Sequence, residues 1–510
     1  MQAAIYTVLA GHRVVALERP APAMARQHFL VVAYPAQGHI NPARALAARL
    51  ARVTGADVTL SAAVSAHRRM FPSLAAPDEE ARDDGAGVSY VPYSDGYDEG
   101  FRLFDGDGEA AWRNVDSFDR VGRETFAAVV DRLAARGRPV TCVVYAFLMW
   151  WAADVARERG IPRVLYWIQP ATMLAVYYHY LHGYESLVTE HAGEPEFTVS
   201  MPGLPPMAIR DLPTFFIDLD DAWLAAAFNG VKKTIRQVDI DRSSGGVAGA
   251  KPMVLVNTVE ELELDLLASF PELDILPIGP VVTSLDGGKV SKASHDLYKH
   301  DEKGYMEWLD AKPAESVVYV SFGSMSAVSK RQKDEIRRGL AATGRPYLWV
   351  VREDNRDDGD GDEPAPHDGM VVGWCDQVRV LSHPAVGCFV THCGWNSTLE
   401  AVACGTPVVA APQWSDQDTN ALLVAGWGVG VRAATAADRV LEADELARCV
   451  EAVMSDTAAA FRRSSAAWKA KVQGAVAEGG SSGRNLKSFL DRIANVAHNT
   501  STQRSSGVMS

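Results

Sequence analysis

The residues able to do chemistry crowd into one stretch, VTHCGWNSTLEAVACGTP, spanning Val390–Pro407. A β-branched run leads into His392, Gly394, Trp395, Asn396 and Ser397, and Glu400 follows one helical turn later. One reading is structural. Ser397 and Glu400 match the capping box S-x-x-E, and Gly405 with Pro407 ends the helix. That leaves His392, Gly394, Trp395 and Asn396 without a role. The other reading is a ligand site. A strand-to-helix turn presents free backbone N–H groups at the positive end of the helix dipole, which suits a phosphate. His392 could add a donor or positive charge to a diphosphate, and Glu400 could accept from a ribose diol. The stretch by itself leaves both readings open. A second histidine, His39, sits in PAQGHINP after another strand-like run. A lone histidine is more often structural than catalytic.

These side chains need elements to hold them. HFLVVAYPAQGHINPARALAARLA reads as strand, Pro/Gly turn and Ala/Leu/Arg helix, with Asn41 expected at the N-cap and Pro42 at the first helical position. ADVTLSAAV, VTCVVYA and IPRVLYW are further strand-like runs, the last two separated by a helix through Trp151–Arg159. The pattern restarts with KPMVLVNTVEELE, SVVYVSFGSMSAVSKRQKDEIRRGLAATG, RPYLWVVRE, VGCFVTH and TPVVAAP. Strand–helix–strand repetition predicts parallel sheets covered by helices. We therefore expect an α/β chain of two doubly wound domains, split between 250 and 290. Ligands bind such sheets at the carboxyl ends of the strands. His39 and His392 fall at such ends, one in each half.

The expected organisation is an extension at 1–26, poorly ordered; a first domain at 27–265; a second at 266–480; a C-terminal helix at 481–498 returning toward the first domain; and a disordered tail at 499–510. Residues 281–300 read as a linker, and the acidic tract RDDGDGDEPAPHDG, Arg356–Gly369, as a mobile surface loop.

Composition narrows the function classes. The 510 residues carry a net charge of −14, which argues against broad nucleic-acid binding. No run of 18 apolar residues occurs, so no membrane span is expected. The six cysteines, Cys142, Cys375, Cys388, Cys393, Cys404 and Cys449, form no CxxC pair and no metal-ligand spacing. Reduced, buried cysteines and a cytoplasmic location follow as expectations. The text GGSSG at 479–483 fits G-x-S-x-G but follows a helix rather than a strand, so it is rejected as a hydrolase nucleophile elbow. PAQGHIN in place of G-x-G-x-x-G after the first strand rejects a dinucleotide-dependent dehydrogenase.

A longer window decides the opening question. WCDQVRVLSHPAVGCFVTHCGWNSTLEAVACGTPVVAAPQWSDQ, Trp374–Gln417, closely resembles the signature box of plant UDP-dependent glycosyltransferases of secondary metabolism, at full length and without insertion. PAQGHINP and VYVSFGS resemble family landmarks as well, and the likeness spans roughly Gln27 to His498. SDGYDEGF and YWIQPATM are most similar to the branch with anthocyanin 5-O-glucosyltransferases and carboxylate-glucosylating enzymes for auxin and crocetin. The resemblance implies a GT-B fold, two Rossmann-like domains facing a cleft, with UDP-glucose as donor substrate, no cofactor and no metal. It implies that Trp374 stacks on uracil, that the backbone at Cys375 bonds the base, and that Gln377 and Glu400 meet the ribose. His392, Asn396, Ser397 and Ser324 would contact the diphosphate. Asp416 and Gln417 would bond sugar hydroxyls, with Trp395 close by. His39 matches the general base of an inverting transfer.

One position departs from the pattern. Many relatives orient the base with an Asp where this chain reads VVYAFLMWW, and Ala146 occupies that place. A weaker base implies an acidic acceptor, a carboxylic acid or an acidic phenol. The aromatic segments FLMWW, YWIQPATMLAVYYHYLHGY and YSDGYDEGF are expected to wall a pocket for a small apolar acceptor such as a flavonoid. A monomer is expected. The alternative is a UDP-sugar-binding protein with little or no catalysis; His39 argues against it, while Ala146 keeps it open.

Overall fold

The computed structural model describes residues 27–506 except 77, 84, 101–107, 218–220, 244–250, 281–295, 299, 302–303, 357–367, 437 and 456–457. The N-terminal extension, most of the linker and most of the acidic tract lie outside the described residues. Among the described residues the strands are β1 His28–Val32, β2 Asp57–Ser61, β3 Ala81–Asp83, β4 Val88–Tyr90, β5 Cys142–Ala146, β6 Arg163–Trp167, β7 Thr198–Val199, β8 Met207–Ala208, β9 Met253–Val256, β10 Asp274–Pro277, β11 Val317–Ser321, β12 Tyr347–Val350, β13 Gly369–Val372, β14 Val386–Thr391, β15 Val408–Ala410 and β16 Gly430–Arg432. The first sheet has the order β10-β9-β6-β5-β1-β2-β4-β3 and the second β13-β12-β11-β14-β15-β16. Every pairing in both is parallel except β3 with β4. Sheets covered on both faces demand continuous apolar strands. FLVV, CVVYA and VVYVS are accordingly buried along their whole length.

Several boundaries differ from expectation. β10 pairs with β9, and Leu276 and Ile278 join the first core, so the chain leaves the first unit after Ile278, not at 265. The first long helix begins at Gln37 with Ala36 at its N-cap, placing Asn41 and Pro42 inside it. The C-terminal helix runs Ser481–Ser506, past His498, and inserts Leu486, Phe489 and Ile493 into the first core. Its entry turn is the GGSSG text. Ser482 Oγ donates to the Ile278 carbonyl at 2.6 Å and accepts from Arg49 at 3.0 Å, which gives this serine pair a structural use.

The two sheets meet along loops at their carboxyl ends. Thr419 Oγ1 donates to the Asp211 carbonyl at 2.7 Å, and Ser415 N–H donates to Thr214 Oγ1 at 2.9 Å. The Arg432 guanidinium bridges Asp211 of the first unit and Asp418 of the second.

Candidate active site

A cleft of about 1000 Å³ lies between the two sheets. His39, Ser324, Trp374, Cys375, Gln377, His392, Trp395, Asn396, Ser397, Glu400, Asp416 and Gln417 all line it. Residues far apart in sequence therefore share one wall, in the arrangement the strand ends require.

The helix Trp395–Cys404 carries the centre of the site. Its N-cap is Gly394, which offers no side-chain cap, so the capping box does not form. Ser397 and Glu400 instead meet Gln377, whose Nε2 donates to Ser397 Oγ at 3.0 Å and Glu400 Oε2 at 2.7 Å. Tyr319 OH donates to Gln377 Oε1 at 3.1 Å and fixes that amide. Uncapped, the first turn keeps its N–H groups for a ligand. Burial raises the Glu400 carboxyl to about 7, opposed by the Gln377 hydrogen bond. Gly405 closes the helix in the left-handed conformation, φ 76°, as the sequence predicts.

His392 is wedged between two glycines. A Cβ on Gly323 would stand 2.5 Å from its Cε1, and one on Gly394 2.6 Å from its Nε2. Burial lowers its pKa to about 4. In this form it offers a neutral imidazole, a hydrogen-bond donor rather than the cation also considered above.

Asn396 is committed differently from expectation: its Nδ2 donates to the Gly38 carbonyl across the cleft, at 2.7 Å. The cause is Pro42. Proline has no N–H, so the Gly38 carbonyl four residues earlier loses its helical partner and is free to accept. Trp395 also faces away from a free role, because its Nε1 donates to the Asn257 carbonyl at 2.7 Å. Gln417 Oε1 accepts from the N–H groups of Gln413 and Trp414, at 2.8 and 3.1 Å, which leaves its amide NH₂ to donate. Asp416 accepts from Asn420 Nδ2 at 2.8 Å, and burial raises its pKa.

His39 stands in the first turn of the Gln37–Thr54 helix, stacked on Phe147 at 6.1 Å and 9°, with Tyr34 5.1 Å away. Its Nδ1 is buried with no hydrogen-bond partner among the described residues. Burial lowers its pKa to about 4, opposed only by the Phe147 backbone. Ala146, fully buried at the end of β5, supplies no acceptor. The Asp119 carboxylate accepts from Trp150 Nε1 at 3.1 Å and Lys233 Nζ at 2.5 Å.

The apolar end of the cleft is lined by Tyr34, Phe118, Phe147, Leu148, Trp150, Ile168, Phe215 and Trp223. FLMWW thus contributes three of its five residues, while Met149 and Trp151 turn into the core. Trp167 and Tyr177 are core too. The described part of the YSDGYDEGF loop does not reach the cleft, because Ser94, Asp98 and the Ser117 hydroxyl tie it to itself and to a neighbouring helix. The wall comes instead from the helices Gly108–Ala135 and Ala222–Ser243. Gln169 also lines it, with Oε1 buried and unpartnered among the described residues.

Comparison with known proteins agrees with this geometry. Residues 238–465 match the family described as UDP-glucoronosyl and UDP-glucosyl transferase. Crocetin glucosyltransferase of Gardenia jasminoides is 42% identical over 91% of this chain and 97% of its own. An anthocyanidin 3-O-glucoside 5-O-glucosyltransferase of Perilla frutescens is 41% identical over 92% of this chain and 100% of its own. Among solved structures, Os79 from O. sativa in complex with UDP superposes with a TM-score of 0.73 at 29% identity, covering 91% of this chain and 100% of that one. A cleft between two parallel sheets, and relatives matched along nearly the whole chain, make this protein a member of the plant UDP-glycosyltransferase family with the GT-B fold, and a glucosyltransferase.

Proposed function

We propose that this enzyme transfers glucose from UDP-glucose, with inversion at the anomeric carbon, to a carboxyl or acidic phenolic oxygen of a small apolar acceptor. In this reading His39 takes the proton of a phenolic acceptor through the ring nitrogen facing the cleft. The acceptor oxygen forms the new bond to the anomeric carbon as the bond to the UDP oxygen breaks. Charge that develops on the leaving diphosphate is met by the free N–H groups of the Trp395–Cys404 helix, by Ser397 and by neutral His392. Those donors support a transfer that needs no metal ion. Trp374 would stack on uracil, Cys375 bond it, Gln377 and Glu400 hold the ribose, and Asp416 and Gln417 the sugar. Relatives named for crocetin and anthocyanidin glucosylation are in keeping with an apolar acceptor.

One observation carries the acceptor class: the unpartnered, buried Nδ1 of His39 beside Ala146. A buried imidazole whose conjugate acid is stabilised by no carboxylate, only by the Phe147 backbone, is a weak base. It serves acceptors that surrender their proton readily, or that have none to surrender. Six buried, unpaired cysteines favour the cytosol as the compartment, and we propose a monomer there.

The test is a metal-free incubation with UDP-glucose and a panel of aromatic acids, flavonoids and aliphatic alcohols. Acids and phenols should yield glucosides. His39→Ala should abolish phenol transfer, keep UDP binding, and reduce carboxylate transfer less, since an ionised carboxylate has no proton to lose. Rapid turnover of aliphatic alcohols alone, or undiminished phenol transfer by His39→Ala, would overturn the proposal.

A further inference from the structure

Four described residues near the end of the linker, Asp296, Leu297, Tyr298 and His300, connect parts of the site that lie on different domains. The Tyr298 ring stacks on Trp374, with centroids 4.6 Å apart and planes at 27°. Trp374 lines the cleft, as do Asp296 and His300, and Tyr298 does not, which fits a Tyr298 ring on the indole face turned away from the cleft. The Tyr298 hydroxyl donates to the Ser324 carbonyl at 2.9 Å. Arg352 lies over the same ring, 5.8 Å from its centre.

The turn after β11 is held from that same outer side. Arg352 Nη1 donates to the carbonyls of Gly323 at 2.8 Å and Ser326 at 3.1 Å, and Asn355 Nδ2 donates to Ser326 at 2.9 Å. With Tyr298, three carbonyls of one turn are drawn outward. In a trans peptide the N–H points opposite to the preceding C=O. The N–H groups of Ser324 and Met325 therefore face inward, and both residues line the cleft. Successive inward N–H groups make an anion-binding nest.

The other end of the segment grips the helix of His39. Asp296 accepts from Gln37 Nε2 at 2.9 Å, from Arg44 at 3.4 Å and from His300 at 2.8 Å, and Leu297 N–H donates to Gln37 Oε1 at 2.6 Å. Gln37 stands two residues before His39.

We propose that Tyr298 is a positioning residue of the donor site. Its ring backs the uracil platform, its hydroxyl aims the Ser324–Met325 N–H groups at the diphosphate, and Asp296 fastens this brace to the helix bearing His39. The inference rests on the cleft's use for UDP-sugar and adds to it a residue outside the signature box.

Two probes, UDP and uridine, separate the two parts of Tyr298 by calorimetric titration. Tyr298→Phe keeps the stack and loses the hydroxyl. It should weaken UDP binding by about 3- to 10-fold, the range of one hydrogen bond, and leave uridine binding unchanged. Tyr298→Ala should weaken both. Asp296→Ala should lower kcat while the Kd for UDP stays within about twofold. A merely structural role would lower the melting temperature without splitting UDP from uridine. Tighter binding of both probes by Tyr298→Ala would mean that the ring competes with uracil, and would overturn the proposal. So would unaltered UDP and uridine affinities in both Tyr298 variants. A wild-type enzyme that binds no UDP would instead refute the reading of the cleft itself.

Discussion

Restoring a carboxylate beside His39 should strengthen the base, and Ala146→Asp is the substitution that does it. Burial holds the imidazole at about 4, against an ordinary value of 6.5. A carboxylate at hydrogen-bond distance from Nδ1 raises a neighbouring imidazole by about 1–3. The base would then titrate between about 5 and 7. For a proton transfer that tracks base strength with a coefficient of about one half, a rise of about 2 accelerates phenol transfer about tenfold on the pH plateau. The sign on pH follows. The base must be unprotonated, so kcat/KM falls below its pKa, and raising that pKa moves the acid limb upward. The variant should therefore be faster at pH 8 and lose activity earlier on acidification. Acceptors with weakly acidic hydroxyls should gain most, and carboxylates least. Ala146→Asn is the control, matching shape without charge, and should leave the limb in place. The assay is kcat/KM against pH for one phenol and one aromatic acid, with UDP titration and thermal melting to establish that each variant is folded. A folded, UDP-binding Asp variant whose acid limb stays within about half a pH unit of wild type would refute the assignment of His39 as the titrating base.

Other parts of the site give sharper, smaller tests. Trp374→Ala removes one base-stacking surface worth about 1–3 kcal/mol, so UDP should bind about 5- to 150-fold more weakly by titration. Glu400, held at about 7, should make donor affinity pH-dependent, falling as pH drops below 7 and the carboxyl loses its capacity to accept from ribose; Glu400→Gln should flatten that profile. Gly394→Ala puts a methyl 2.6 Å from His392 Nε2, which should cost about 1–3 kcal/mol in denaturant unfolding and weaken UDP more than uridine. Arg432→Met removes the guanidinium shared by Asp211 and Asp418, whose side chains are only 9% and 3% exposed, at the domain interface. Removing one partner of such a pair is destabilising, and with Arg439 still on Asp418 the loss should be about 2 kcal/mol in a denaturant titration.

The wall of the cleft proposed for the donor was legible because its parts are contiguous. Trp374 to Gln417 spans three strand ends and the helices that follow them, so local strand–turn–helix spacing already implies which residues share a rim. The place of His39 on the cleft was legible for the same reason, since it stands in a strand-to-helix turn. What failed were readings that needed a partner from elsewhere. Ser397 and Glu400 look like a capping box until Gln377, twenty and twenty-three residues earlier, claims both. Asn41–Pro42 looks like a helix start, yet the helix begins at Gln37 and Pro42 does something subtler, vacating the Gly38 carbonyl for Asn396. The apolar wall was legible only in part: Phe147, Leu148 and Trp150 of FLMWW line it, with Ile168 and Gln169 of the following segment. Aromatic content pointed at FLMWW and the YWIQPATM segment, but aromatic residues in strands and covering helices of a doubly wound sheet are mostly core. The helices Gly108–Ala135 and Ala222–Ser243 contribute Phe118 and Trp223 only because tertiary packing brings their ends to the cleft. Nothing in their periodicity distinguishes a face turned to a substrate from a face turned to a sheet, since both are apolar. That asymmetry has a physical origin. Every donor needs the same diphosphate, and a diphosphate is satisfied by backbone geometry that short spacings encode. An acceptor is recognised by the shape of a surface assembled from distant elements, so its identity has to be read from the few polar groups on that surface, among them His39 Nδ1 and Gln169 Oε1, both buried and unpartnered among the described residues.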